Sequence, residues 1–253
     1  MKKFKNIVRN ILIVILTVVL AVSMYEVIDF LRQSHQENAA IAKINEAIQP
    51  NIKIENSEFV FTHEAWNQLK AVNDDFIGYL AFPDQYVSEP VVKAHDRSYY
   101  LKHWIDRTWN SQGTVYMDQT NELTDQNITM YGHNVTYDPK AKFSPLTKLV
   151  NQKDYDKHHI FKIWYEQEVA SYEIEAVYYY DVDKDTAFNF RQNNFTDDTE
   201  VYRFLENIRN RNEILSAGGM TKDDRFVTFQ TCRDYSSSVR IIIVAKETGR
   251  SAY

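Results

Sequence analysis

The chain has 253 residues, 44% of them hydrophobic and 14% aromatic, with 35 acidic against 29 basic side chains and a formal net charge of −6. That balance argues against a nucleic-acid partner, because binding to phosphate is driven by basic patches and none is visible beyond the amino-terminal tip. A single cysteine, Cys232, rules out an internal disulfide and leaves either an inert buried thiol or a reactive one.

Lys2, Lys3, Lys5 and Arg9 precede an apolar run from Ile11 to Val22, which continues through Met24, Tyr25, Val27, Ile28 and Phe30 with Glu26 and Asp29 as its charged interruptions. Counted from Ile7, the run approaches the roughly 20 residues that a helix needs to cross a hydrocarbon core. Basic residues on its amino side resist translocation, so residues 1–31 are expected to be a cytoplasmic tip and single membrane anchor, with residues 32–253 outside the cell membrane. A signal peptide cleaved near Ala21-Val22-Ser23 is the competing reading. Against it, the apolar character runs past that point and Leu31 to Ile48 read as a continuing polar helix.

The remaining stretch of about 220 residues suits one domain, without repeat or linker to divide it. Its first part, residues 32–74, is expected to be helical. Thr62 is a candidate cap, and Ala65, Trp66, Leu69 and Val72 share one face of a helix from Thr62 to Asn73. Eight runs rich in β-branched and aromatic residues follow: Ile77 to Phe82, Pro90 to Lys93, Gly113 to Met117, Ile128 to Tyr131, His159 to Tyr165, Ser171 to Tyr180, Arg225 to Thr231 and Arg240 to Lys246. They predict a mainly β fold with added helices, a closed or nearly closed mixed barrel. Val201, Phe204, Leu205 and Ile208 mark a surface helix, Asp197 to Asn210, between the sixth and seventh strands.

In the seventh run, strand alternation sends Thr228, Gln230 and Cys232 to one face and Val227, Phe229 and Thr231 to the other. If Val227 and Phe229 face the core, the thiol emerges on a groove side. A serine-rich loop, Ser236 to Ser238, leads to Arg240, whose guanidinium would then lie near the thiol, where it lowers a thiol pKa and stabilises an oxyanion. An arginine that simply faces solvent at a strand edge fits the same spacing. Of the seven histidines, His133 in Tyr131-Gly132-His133-Asn134 sits where a strand gives way to a loop, a place suited to presenting a side chain. His158 and His159 lack a third ligand at metal-site spacing. His95 and His103 flank Tyr99-Tyr100 and read as packing or surface residues.

His133 in its YGHN setting, the strand end Thr228-Phe229-Gln230-Thr231-Cys232 and Arg240 at the start of the next strand together resemble the sortases, cysteine transpeptidases of Gram-positive surfaces. Pro90-Val91-Val92, Tyr99 to His103 and Gly113 to Asp118 look like the family's early strands. The amino-terminal helical segment and the helix at Asp197 to Asn210 look like class B additions. Phe229 stands where the family usually has Leu, Gln230 where class B members commonly have Ser, and Lys142 to Leu146 replace a more usual segment after the histidine.

The resemblance implies an eight-stranded sortase-type β-barrel and acyl transfer. Cys232 would be the nucleophile, His133 the acid and base, and Arg240 the oxyanion or substrate clamp. Leu101, Tyr131, Gln230 and Thr231 are the expected substrate-binding positions. The implied partners are secreted proteins with a Pro-x-Thr-type carboxyl-terminal sorting motif and an amino group of the peptidoglycan cross-bridge, with no metal or organic cofactor. Hydrolysis, pilus-type polymerisation onto a lysine, or a non-enzymatic tethered module with an inert thiol are the other readings. Asn-x-Ser/Thr triplets at Asn127, Asn134 and Asn194 would matter only on a eukaryotic secretory route.

Overall fold

The computed structural model describes residues 2–48, 52–55, 58–93, 96, 98–214, 216, 219–234 and 237–253; His95 and Ser236 lie outside them. The chain forms two compact units, Met1–Ala47 and Ile48–Tyr253. The first is a helix, α1 (Lys2–Ile48), that continues past the small residues at Ala21 and Ser23 without a break. Its span Lys3–Ala39 is long and apolar enough to cross a membrane, reaching a mean hydropathy of 2.7. Ile11, Leu16, Val19, Val22 and Phe30 are all exposed, as suits a helix whose apolar surface runs all round.

The second unit begins with a two-stranded antiparallel ribbon, β1 (Ile52–Glu55) and β2 (Glu58–Phe61). The expectation of a helical 32–74 segment did not include this ribbon, since four-residue strands are too short for alternation to declare itself. It is held by aromatic contact, the rings of Phe59 and Phe61 stacking 5.8 and 4.5 Å from Tyr79. Helix α2 (His63–Val72) starts where expected, with Thr62 Oγ1 accepting from the Ala65 N–H at 3.2 Å. Ala65, Trp66 and Leu69 are buried, whereas Val72 in the last turn stays exposed.

Eight further strands close a barrel: β3 (Phe76–Ala81), β4 (Ser88–Lys93), β5 (Val115–Met117), β6 (Asn127–Tyr131), β7 (Ile160–Trp164), β8 (Glu168–Asp181), β9 (Phe226–Cys232) and β10 (Val239–Ala252). Their order around the barrel is β10-β8-β7-β3-β4-β5-β6-β9. The β4–β5 and β6–β9 pairs are parallel and the other pairs antiparallel. Alternation fills the interior with Leu80, Val91, Val115, Met130, Phe161, Ile163, Val227, Phe229, Ile241 and Ile243. Val227 and Phe229 therefore face the core, as strand parity required.

A second apolar layer lies on the outside of β8, β10 and β9. Helix α4 (Asp198–Arg211), between the sixth and seventh barrel strands, is capped by Asp197. It sets Val201, Phe204, Leu205 and Ile208 against Ala176, Tyr178, Phe226, Ile242 and Val244. Burial on both faces explains why Ile241 to Val244 is an unbroken apolar run rather than an alternating one. A short α3 (Gln152–His158) carries His158 into a stack on Tyr86, 3.8 Å between centroids, beside Asp84. His103 likewise stacks on Tyr99 at 4.0 Å, so both histidines have packing partners.

Candidate active site

Register places the candidate residues in one row. Arg240 is the antiparallel partner of both Cys232 on β9 and Tyr180 on β8. Paired residues share a face, so all three point to the outer side, the face that α4 covers further along. The next row inward is Tyr178, Ile242, Gln230 and Tyr131. Cys232 and Arg240 are both half-buried, which leaves the thiol within reach of a substrate. Arg240 Nη1 donates to the carbonyls of Ser237 at 2.7 Å and Val239 at 3.3 Å, so the β9–β10 loop aims the guanidinium.

His133 joins the row from the other side. β6 runs parallel to β9 with Tyr131 beside Gln230, and the bonding continues past the strand end. The Gly132 N–H donates to the Gln230 carbonyl at 3.2 Å, and Asn134 Nδ2 donates to the Arg233 carbonyl at 3.0 Å. These two bonds bracket His133 alongside Thr231 and Cys232. Gly132 faces inward, where a Cβ would meet the Phe143 ring at 2.6 Å; a side chain is excluded there, and parity turns the His133 ring outward.

The ring is held by its Nε2, 2.9 Å from the Leu101 carbonyl. A carbonyl only accepts, so Nε2 carries the proton and Nδ1 is the nitrogen free to exchange one. Burial holds the imidazole below the usual histidine pKa; the Leu101 carbonyl opposes that shift, and the nearby Lys142 ammonium adds to it.

Lys142 was not a candidate in the sequence beyond its place in a divergent segment. It is 2% exposed, and its Nζ lies 3.0 Å from Glu89 Oε2 and 3.5 Å from the centroid of the Trp104 ring. Burial pushes its pKa down and Glu89 opposes this. Nothing in residue spacing signals such a group, because Glu89 and Trp104 come from separate segments.

The expected substrate-binding residues fall in different settings. Gln230 lies on the thiol's face with Oε1 buried and without a hydrogen-bond partner among the described residues. Leu101 supplies the carbonyl that holds His133. Tyr131 is buried, its hydroxyl donating to Asp118 Oδ2 at 2.5 Å. Thr231 alternates to the inner face and is 1% exposed, so the structure does not bring its side chain to the thiol.

A family model for the sortase domain matches residues 80–248. A sortase B of Staphylococcus aureus is 26% identical over 250 residues, covering 97% of each chain. A sortase B of Listeria monocytogenes is 27% identical over 183 residues, covering 70% of this chain and 72% of its own. Among solved structures, the Staphylococcus aureus sortase B–substrate complex shares the fold with a TM-score of 0.73 at 24% identity, over 85% of this chain and 98% of that one. The chain belongs to the sortase family, a family of cysteine transpeptidases, and its relatives of like length place it in class B.

Proposed function

We propose that this class B sortase performs transpeptidation through Cys232, His133 and Arg240 in the roles the row of side chains suits. The Cys232 thiolate attacks the carbonyl carbon of a threonine in a sorting signal, and the C–N bond after that threonine breaks. His133, as imidazolium, gives its Nδ1 proton to the departing amine, leaving a thioester on Cys232. An incoming amine then attacks the thioester, His133 takes its proton, and the thiolate leaves. Arg240, anchored through Nη1, directs its remaining N–H groups at the carbonyl oxygen as it becomes an oxyanion, or at the substrate backbone beside it. The observation that carries this reading is the direct pairing of Cys232 with Arg240 while hydrogen bonds on either side of His133 fix it alongside.

The substrates we infer are proteins carrying a Pro-x-Thr-type signal near the carboxyl terminus, with a peptidoglycan cross-bridge amine as acceptor. In this reading Gln230, whose side chain shares the thiol's face, meets the bound signal by turning out the amide oxygen that is buried and unpaired among the described residues. The helix α1 holds the catalytic unit at the outer face of the cell membrane, with the basic residues Lys2, Lys3, Lys5 and Arg9 in the cytoplasm. A library of fluorogenic pentapeptides, incubated with and without an added amine and read by mass spectrometry, tests the reaction. Amide products that incorporate the amine are expected; free acid alone, whatever the amine, would show a hydrolase instead.

A further inference from the structure

The loop that carries His133 closes on itself through an Asn134–Lys142 bridge and a bond from the Phe143 N–H to the His133 carbonyl at 3.1 Å. At its neck Lys142 holds a left-handed backbone, φ 52°, a conformation that side-chain-bearing residues avoid. One carboxylate takes both ends of this residue: Glu89 Oε1 accepts the Lys142 backbone N–H at 3.1 Å and Oε2 accepts Nζ at 3.0 Å. The ammonium lies over Trp104, three residues beyond Leu101, whose carbonyl holds the His133 ring. A buried ion pair and a left-handed lysine each cost folding free energy. Hydrophobic side chains would fill the same space at lower cost.

We propose that Lys142, Glu89 and Trp104 form a clamp of positioning residues for His133. Glu89 ties the backbone of the histidine loop to the start of β4. Trp104 ties it to the segment that presents the Leu101 carbonyl. The clamp thereby fixes the two parts of the histidine's cradle relative to each other, so that Nε2 meets its acceptor and Nδ1 is left as the nitrogen free to exchange a proton. This inference rests on His133 being the catalytic histidine.

The test uses the full-length protein in detergent and three forms: wild type, Lys142→Met, and the double variant Glu89→Leu/Lys142→Met. In the double variant no charge is stranded and Met fills the space over Trp104, but the carboxylate that tied the Lys142-position N–H to β4 and the cation over the ring are both gone. Lys142→Met should melt earlier, because it strands a buried carboxylate, and the double variant should recover part of the melting temperature. In both, kcat on a sorting peptide should stay at least about tenfold below wild type with KM little changed, the signature of lost positioning. The NMR signal of the His133 Nε2–H, slowed in exchange by the Leu101 carbonyl, should weaken in both. A double variant that regained kcat along with stability, or a folded Lys142→Met protein with normal kcat and an intact Nε2–H signal, would overturn the clamp. Should wild type turn over no sorting peptide at all, the transpeptidase reading falls, and the imidazole signal alone decides for or against the clamp.

Discussion

Cys232 and Arg240 stand directly opposite each other across β9 and β10, and the guanidinium is tied back to the Ser237 carbonyl at 2.7 Å. The tie leaves a planar fork with a set direction. Lysine in its place keeps the charge but loses the fork. Arg240→Lys should therefore retain the fold, with a melting temperature within a few degrees of wild type, and lose kcat by about a hundredfold, the scale of removing one oxyanion donor. Steady-state kinetics decides: near-normal turnover with unaltered KM would show that charge alone suffices.

Cys232→Ala should abolish both peptide cleavage and thioester formation while leaving the fold intact, because the side chain is small, half-buried and at a strand end. Intact-mass spectrometry after incubation with a sorting peptide should show an acyl adduct on wild type and none on the variant. Turnover by Cys232→Ala above a trace rate would remove Cys232 from the mechanism.

His133 is held below the usual histidine pKa, mainly by burial. Its folded pKa thus lies below its unfolded one, so the unfolded chain takes up the proton first as pH falls. Its neutral form contributes stability above the unfolded value of about 6.5, and that contribution is lost as pH drops through 6.5 toward the folded value. Between pH 7 and 5 the melting temperature should fall less steeply in His133→Asn than in wild type. Parallel slopes in a thermal scan across that range would contradict the buried imidazole.

Gly132 has no room for a Cβ, which would sit 2.6 Å from the Phe143 ring. Phe143 is fully buried in the barrel core and cannot simply turn aside. Gly132→Ala should cost about 1–3 kcal/mol by overpacking and displace the adjacent His133, lowering kcat more than the stability change accounts for. Urea denaturation alongside single-turnover rates separates the two effects.

Removing residues 1–31 should leave a soluble, active enzyme, since that part of α1 belongs to a unit separate from the barrel. Gel filtration and the peptide assay check this. An insoluble truncation, or a natural mature form beginning at Met24, would count against the anchored arrangement.

The barrel strands were legible because each combines β-branched and aromatic residues with a bounded length, and α4 because Val201, Phe204, Leu205 and Ile208 repeat at helical spacing. Strand β10 extends well past the apolar run that announced it, to Ala252. Its second half, with Lys246, Glu247, Thr248 and Arg250, carries no hydrophobic signal, and pairing with Glu168 to Glu173 of β8 makes it a strand. Within the site, strand parity and a strand-to-loop junction made Cys232, His133 and Arg240 eligible, because these are local properties, but it was the resemblance of their motifs to the sortases that singled the three out. The Leu101 carbonyl as holder of the imidazole, the Asn134 bracket and the Lys142–Glu89 pair could not, because each depends on segments brought together only by barrel closure. Parity also shows why Thr231 belongs to the inner face although its neighbour in sequence is the thiol.

The strands that bring His133 and Cys232 together form a parallel pair whose members are far apart in the chain: Thr228 bonds Asn127 across 101 positions. Such a contact bears a heavy loop-closure entropy and forms slowly compared with the local antiparallel pairs. A chain made from its amino end completes β3 to β8 before β9 exists. The strand of Cys232 is then the wedge that closes the barrel, and the His133 imidazole gains its neighbours in the same event. A partly made chain has not brought His133, Cys232 and Arg240 together, so on the proposed mechanism reactivity arrives with the closing of the fold rather than before it.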